Sequence, residues 1–287
     1  MKPTTTKNKR NWKKYNQSLI NRGRLDIWIA EDMETWWYSQ GKQTYSNQCI
    51  ELILTLKFIY HLPLRATIGL TQSILNYHGL EYLQIPDIAT LSRRARTLNI
   101  QVKKKKKDKI VLIVDSTGLK VYGEGEWKVR KHGWNYRRTW KKLHIGIDVD
   151  GEVRTLCMST SQAHDVRYGK DMLQQEDTPI DTFSGDGAYD SDDIYTLCAE
   201  KGIARVLIPP RKNTKLSNDH HPLKQDNLRL PRAEWKKQSG YHRRSLVETH
   251  MYRHKQILSP YLSFRSEASQ YTEIVLKTNI LNKMLDL

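Results

Sequence analysis

Cysteine and long apolar runs are both scarce in this 287-residue chain. The three cysteines, Cys49, Cys157 and Cys198, lie far apart and include no Cys-x-x-Cys pair, so we expect small buried thiols in a reducing compartment and no disulfide framework. The most apolar stretch, CIELILTLKFIYHL, is interrupted by charged residues before it reaches the roughly 18 residues of a membrane span. The basic start of the sequence lacks the apolar segment of a signal peptide. We therefore expect a soluble, cytoplasmic protein.

Acidic residues are also in short supply. The chain has 31 Asp and Glu against 48 Lys and Arg, which gives a formal net charge of +17 and a sequence pI near 9.7. Each phosphate that a basic side chain neutralises releases condensed counterions. The composition therefore favours a polyanionic partner, most simply nucleic acid.

One basic segment is interleaved with aromatic residues. Positions 128 to 142, KVRKHGWNYRRTWKK, carry seven basic residues and no acid. Basic side chains pair with phosphates and aromatic rings stack on bases, so we expect Trp134, Arg137 and Arg138 to contact DNA. A solvated surface with a few core aromatics explains the same run equally well.

The region before the lysine run has the apolar spacing of short helices. Two such patterns cover residues 49–60 and 64–76, and a third is IATLSRRARTL at 88–98. The third pattern places its apolar residues on one face, and we expect Arg93, Arg94 and Arg96 to point away from that face towards DNA. Three short helices with an arginine-bearing third fit a helix-turn-helix-like region. A plain helical subdomain with a charged outer face fits the pattern as well.

Five consecutive lysines, Lys103 to Lys107, are the clearest break in composition. They predict a division of the chain into three parts. The first is a helical, basic region at 1–102, the second a lysine-rich linker at 103–109, and the third a larger domain at 110–287.

The larger domain has the pattern of an α/β fold. Strands are predicted at 110–115, 143–149, 153–158, 180–186 and 204–208. Asp150 and Gly151 form the hairpin turn between the second and third strands. Helices are expected after the third and fourth strands, and the last one begins near Tyr241. Three strands in a meander followed by alternating helices and strands give a mixed sheet. This is the element order of the ribonuclease H-like fold.

Two acids stand at the ends of predicted strands: Asp115 in LIVDSTG and Asp186 in FSGDGAYD. A carboxylate held by the rigid backbone of a strand can position a metal ion closely. Both sequences also favour turns, so a purely structural role remains an alternative for either acid. Three other acids compete for a functional role, although the hairpin explains the first two: Asp148, Asp150 and Asp165.

The last predicted helix, YHRRSLVETHMYRHK, carries a third acid. At about 100° per residue, Tyr241, Arg244, Glu248 and Lys255 fall in a stripe about 60° wide. Apolar residues beside this stripe are placed to pack on the sheet. A helix-stabilising pair four residues apart explains Arg244 and Glu248, but it does not explain why Tyr241 and Lys255 share the stripe.

Histidines give weaker signals. His250 and His254 have the spacing of a zinc pair on a helix, but they project away from Glu248 and no cysteine lies near them, so we expect no metal there. His144 alternates with the apolar face of a strand, and we interpret it as a histidine at the edge of the core.

The spacing Tyr-x2-Arg-x3-Glu-x6-Lys is matched at every position by Tyr241, Arg244, Glu248 and Lys255. In this the chain resembles the DDE transposases of bacterial insertion sequences, in the superfamily of groups four and five. The first acid of the family matches Asp115 in VDSTGLKVYGEGEW, and the second matches Asp186 in GDGAYDS. Only 61 residues separate the second acid from Glu248, which leaves no room for the large β-strand insertion of some relatives, so the chain is most similar to group five.

The resemblance implies a function. It implies a transposase that binds the terminal inverted repeats of its element as double-stranded DNA, synapses two ends as a homodimer, cleaves there and joins the 3′ ends to target DNA. Residues 1–102 are then the DNA-end-binding region, and 110–287 the catalytic domain. The resemblance also implies that Asp115, Asp186 and Glu248 hold two Mg²⁺ ions, for which Mn²⁺ can substitute. The neighbours Tyr241, Arg244 and Lys255 are then DNA contacts near the scissile phosphate.

Two other functions are compatible with the sequence. A ribonuclease H-like nuclease or junction resolvase would cut DNA without joining it. A transposase descendant retained as an inactive DNA-binding regulator would do neither, and substitution of Glu248 would leave all its activities intact. The presence of all three acids argues against the regulator.

Overall fold

The structure is a computed structural model that describes residues 11–41, 44–121, 140–211 and 214–287. Its contacts divide the chain into two units, Met1–Ile88 with Lys283–Leu287, and Ala89–Asn282. The predicted DNA contacts Trp134, Arg137 and Arg138 lie outside the described residues. Within the described ranges, no helix is both long enough and apolar enough to cross a bilayer. All three cysteines are buried free thiols, as predicted.

The first unit is helical. Its elements are a short 3-10 turn at Leu25–Ile27 and helices α1 (Trp12–Arg22), α2 (Met33–Trp36), α3 (Asn47–Ile59) and α4 (Leu64–Tyr77). Helix α3 begins where Ser46 Oγ accepts the backbone N–H of Cys49 at 3.0 Å. Helix α4 is followed by Gly79, whose φ of +68° is a left-handed conformation that glycine adopts without strain. The helices predicted at 49–60 and 64–76 are confirmed.

Helix α5 (Ile88–Thr97) carries the three arginines. Arg93 and Arg96 are exposed, whereas Arg94 is only 8% exposed. The expectation that all three point away from the apolar face is therefore wrong for Arg94. This residue follows the buried Leu91 by three positions and precedes the buried Leu98 by four, which places it on the apolar face itself.

A mixed six-stranded sheet forms the centre of the second unit. Its strands are β1 (Ile110–Val121), β2 (Trp140–Ile147), β3 (Val153–Thr160), β4 (Ile180–Ser184), β5 (Arg205–Leu207) and β6 (Tyr261–Leu262). The order is β3-β2-β1-β4-β5, with β1 antiparallel to β2 and parallel to β4. The short β6 pairs with the end of β1. The predicted mixed α/β fold with ribonuclease H-like element order is confirmed.

Strand β1 is longer than the sequence indicates. It was expected to end at Asp115, but it continues to Val121, so Asp115 lies in the middle of the strand. The polar residues after Asp115 do not form a turn, because β2 pairs with them residue by residue down to Lys120 opposite Trp140. The turn that Asp150 and Gly151 were predicted to form is present, with Gly151 at φ +85°.

Helices cover both faces of the sheet. They are α6 (Asp165–Gln175), α7 (Asp192–Glu200), α8 (Pro222–Leu228), α9 (Arg232–Gln238), α10 (Ser245–Leu258) and α11 (Glu267–Met284). Side chains alternate along β1, so Leu112 and Val114 belong to the core with Phe183. On the opposite face, Ile113 belongs to the core that includes Val247 of α10.

The lysine run is part of the second unit and pairs with acidic residues of that unit. Lys104 Nζ is 3.2 Å from Glu176, and Lys107 Nζ pairs with Asp148 and lies 2.7 Å from Asp150. Asp148 also accepts the backbone N–H groups of the hairpin at Asp150 and Glu152. These contacts give Asp148 a structural role, in line with the hairpin explanation from the sequence.

Candidate active site

Asp115 lies on the face of the sheet that helix α10 covers. Alternation along β1 puts Asp115 and Thr117 on the same face as Ile113, whose core also contains Val247 and Met251 of α10. The Asp115 carboxylate is only 14% exposed and accepts the backbone N–H of Ser116 at 2.8 Å. The first acid is therefore a partly buried side chain in the middle of a central strand.

The register of the sheet brings Asp186 to the same level. Strands β1 and β4 are parallel and Ile113 pairs with Ser184, so two residues further along each chain come Asp115 and Asp186. Asp186 begins the 3-10 turn Gly187–Tyr189, where its Oδ1 accepts the N–H of Ala188 at 2.9 Å. Asp186 therefore does form a turn, as its sequence context indicates. The turn places this acid beside the strand that carries Asp115.

Arg244 connects the helix to the strand. Its Nη1 donates to Asp115 Oδ2 at 2.7 Å, and its Nη2 donates to Glu248 Oε1 one helical turn away. Because one guanidinium contacts both carboxylates, Glu248 faces the same space as Asp115. The Glu248 side chain is 53% exposed, whereas Arg244 is 23% exposed. Residues Tyr241–Arg244 form a 3-10 turn, and the regular helix begins only at Ser245.

The electrostatics show that the acids influence one another. Burial raises the pKa of Asp115, the N–H of Ser116 and the charge of Arg244 lower it, and the charges of Asp186 and Glu248 raise it again. The net shift is upward. A carboxylate with this environment is stabilised in its ionised form by any additional cation that approaches the three acids.

Of the other two residues of the predicted stripe, Lys255 contacts strand β1 and Tyr241 packs near Arg244. Lys255 Nζ donates to Thr117 Oγ1 at 2.6 Å. The ring of Tyr241 packs 5.2 Å from that of Trp235, and the Arg244 guanidinium lies 6.0 Å from the centre of the Tyr241 ring. Burial raises the pKa of Tyr241, so its hydroxyl stays protonated at neutral pH.

Sequence reasoning missed Thr117 and Trp235. Thr117 lies two residues after Asp115, and a strand continued through DSTGLKV would have placed both on one face. Trp235 lies in RAEWKKQ, a stretch for which no helix was predicted and which forms helix α9.

The three acids have the chemistry for a divalent ion, since carboxylate oxygens are the ligands that Mg²⁺ prefers. They are nevertheless not gathered as ligands: among the described residues, no three His, Cys, Asp or Glu side chains form a group that could hold a metal. The Arg244 guanidinium instead contacts oxygens of both Asp115 and Glu248. The three carboxylates therefore suit a cation, and in this structure two of them bind the guanidinium of Arg244.

The histidines and the remaining acid lie elsewhere. His250 and His254 are 5% and 3% exposed, and burial lowers the pKa of both, so they are neutral core residues. His144 is completely buried on the other face of the sheet, 2.8 Å from Ser159 and stacked on Tyr168. Asp165 pairs with Lys142 at 2.5 Å.

Together these features define a class: a ribonuclease H-like α/β core with an acid on its central strand, a second acid beside it and a third on a covering helix. Comparison with known families assigns the chain more closely. The family described as Transposase DDE domain matches residues 106–282, and a second family of the same description matches residues 20–124. The chain belongs to the Transposase DDE domain family.

Solved structures were also compared with this chain, and a transposase complex is among the similar ones. The structure described as the Drosophila P element transposase strand transfer complex matches with 13% sequence identity and a TM-score of 0.31. The match covers 93% of this chain and 71% of the other.

Proposed function

We propose that this protein is the transposase of a bacterial insertion sequence of the group-five type. In this proposal it binds the terminal inverted repeats of its element, cleaves the DNA at the element ends and joins the 3′ ends to target DNA. The observation that carries the proposal is the contact of one guanidinium, that of Arg244, with acids from two separate elements, Asp115 on the strand and Glu248 on the helix. The register of β1 and β4 adds Asp186.

Each acid has its own support. Asp115 is held by a strand that pairs with β2 from Ile113 to Lys120. Asp186 is held by a capped turn, and Glu248 by a helix whose apolar side is anchored through the buried Val247 and Met251. We propose that these three carboxylates hold two Mg²⁺ ions, for which Mn²⁺ can substitute. Ions held there would supply activation of a water or a 3′-hydroxyl and stabilisation of the leaving oxygen of the phosphodiester.

The basic side chains around the acids are suited to a phosphate backbone. Lys255 is held at the level of Thr117 by a hydrogen bond, and a lysine ammonium can keep that bond while it pairs with a phosphate, because it has three donors. Arg244 offers a planar fork that matches phosphate oxygens as well as carboxylates. Tyr241, protonated and packed on Trp235, can donate a hydrogen bond to DNA.

Recognition of the element ends is assigned to the part of the chain before the lysine run. We propose that residues 1–102 bind the ends, with the exposed Arg93 and Arg96 of α5 as phosphate or base contacts. In this division, residues 103–109 connect to a catalytic domain at 110–287. Two ends must be brought together, so the active species is proposed to be a homodimer on DNA.

The test is cleavage of labelled duplexes that carry the inverted repeats found beside the gene, with Mg²⁺ or Mn²⁺. Asp115→Asn, Asp186→Asn and Glu248→Gln are each expected to lose cleavage by a hundredfold or more while binding of the duplex is retained, since removal of one electrostatic group costs about 10²–10³ in rate. Glu234→Gln, the same change on exposed α9, is the control and should cleave normally. Normal cleavage by all three variants would refute the proposal.

A further inference from the structure

Arg244 pairs with two acids that are proposed metal ligands, although its own proposed partner is a DNA phosphate. Both of its terminal nitrogens are committed to acids, one to Asp115 at 2.7 Å and the other to Glu248. An arginine in this state cannot pair with a phosphate through the same nitrogens, and the acids cannot offer the same oxygens to a metal ion. Arg244 and these two acids therefore neutralise one another in this structure.

We propose that Arg244 is an exchangeable internal counter-ion, which neutralises Asp115 and Glu248 until a divalent cation takes these carboxylates and the released guanidinium binds a DNA phosphate. This inference rests on the proposed function, because it assigns the regulation of that same site. It makes metal loading and DNA engagement two parts of one exchange.

The charges favour such an exchange. The negative charges of Asp186 and Glu248 raise the pKa of Asp115, so a nearby cation stabilises the ionised acids whether or not that cation is a metal ion. Guanidinium forms forked, charge-assisted hydrogen bonds with carboxylate and phosphate alike, so Arg244 has an equivalent partner on either side of the exchange. Because binding couplings are reciprocal, DNA that attracts Arg244 must raise the affinity for the metal, and the metal must raise the affinity for DNA.

The size of the competition follows from the contacts. A metal ion that displaces Arg244 must break hydrogen bonds between charged groups, one of them to a carboxylate that is 14% exposed. Bonds of this kind contribute about 1.5–3 kcal/mol, which corresponds to about ten- to a hundredfold in affinity. Removal of Arg244 is thus expected to tighten metal binding by at least about tenfold, even without DNA.

The experiment measures Mn²⁺ binding to the full chain by electron paramagnetic resonance of the free ion, without DNA and independently of activity. Arg244→Gln is compared with Arg243→Gln, an exposed neighbour in the same 3-10 turn that removes the same charge. We expect Arg244→Gln to bind Mn²⁺ about ten- to a hundredfold more tightly than wild type, and the affinity of Arg243→Gln to lie within about twofold of the wild-type value. Arg244→Lys, which cannot reach both acids with a planar fork, should fall between wild type and Arg244→Gln.

Two failures are distinguishable. If Arg244→Gln and Arg243→Gln bind Mn²⁺ equally, or if Arg244→Gln binds it more weakly, the exchange is refuted while cleavage by the wild type leaves the proposed function in place. If wild-type Mn²⁺ binding is unaffected by Asp115→Asn and Glu248→Gln, the metal site itself is wrong and the proposed function falls with it. Should Arg244→Gln not fold, the position of Arg244→Lys relative to wild type decides in the same way.

Discussion

Replacement of Glu273 by glutamine is expected to destabilise the second unit strongly, because Glu273 is completely buried on α11 and paired with Lys277 at 2.8 Å. Its carboxylate accepts the backbone N–H groups of Ser263 and Phe264 and the hydroxyl of Ser263 at distances of 2.8 to 3.0 Å. Lys277 in turn donates to the carbonyl of Tyr261 in β6, which pairs with the end of β1.

The magnitude follows from this burial. Glutamine keeps the shape of the side chain, but it removes the negative charge beside a lysine that is 2% exposed and presents an N–H₂ group to donors. Removal of one partner of a buried ion pair costs about 3–5 kcal/mol. The double variant Glu273→Gln with Lys277→Met should cost less than the sum of the two single variants, because the second change removes the charge that the first one leaves behind.

Urea unfolding followed by circular dichroism gives the free energy of unfolding of each variant. Glu267→Gln is the matched control, since Glu267 lies on the same helix with a side chain that is 70% exposed, and its stability should be nearly unchanged. A loss below about 1 kcal/mol for Glu273→Gln would refute the reasoning, as would strict additivity in the double variant.

Two further predictions concern stability. Burial, with a smaller contribution from Arg253, lowers the pKa of His250 to about 4. Between pH 6.5, near the pKa of an unfolded histidine, and pH 4, only the unfolded chain binds this proton. The free energy of unfolding should therefore fall over this window by about 3 kcal/mol for this histidine. His250→Gln should flatten the pH dependence measured by urea unfolding. A Cβ at Gly146 would clash with Thr155 and lie 2.9 Å from Leu112 Cδ1, so Gly146→Ala should lower the free energy of unfolding by about 1–3 kcal/mol, while Gly69→Ala, with open space around it, should not lower it.

The sequence patterns that depend on local periodicity predicted the fold well. Strict alternation identified β2, and the Asp150-Gly151 turn placed β3 in a hairpin with it. Local patterns failed where a partner decides the structure. The polar half of β1 is a strand because β2 pairs with it, and nothing in DSTGLKV alone distinguishes that strand from a turn.

Burial was harder to predict than secondary structure. Helix α11 is buried on nearly all sides although it contains Glu273, Lys277 and Asn282. Because polar residues are spread around the helix, no apolar periodicity in the sequence indicates that it is buried. Each of these groups is hydrogen-bonded, Asn282 for example to the backbone of Val153, which is what makes their burial possible. Arg94 is the opposite case, since an outward position was assigned to a residue that the helix places on its apolar face.

The site was only partly readable from the sequence. Of the stripe predicted on the last helix, Arg244 and Lys255 contact Asp115 and Thr117 of β1, and Glu248 contacts Arg244. Spacing could not show that Arg244 contacts both acids at once, since that depends on the distance between strand and helix. The roles of the acids in catalysis remain a prediction.

The most direct measurement of the central claim is strand transfer. Purified protein is incubated with Mg²⁺ or Mn²⁺, labelled element ends and a target plasmid, and covalently joined products are separated and sequenced. The account predicts that the wild type joins 3′ ends to the plasmid and that Glu248→Gln binds the ends but yields no joined product. Cutting without joining by the wild type, or joining by Glu248→Gln at the wild-type level, would contradict it.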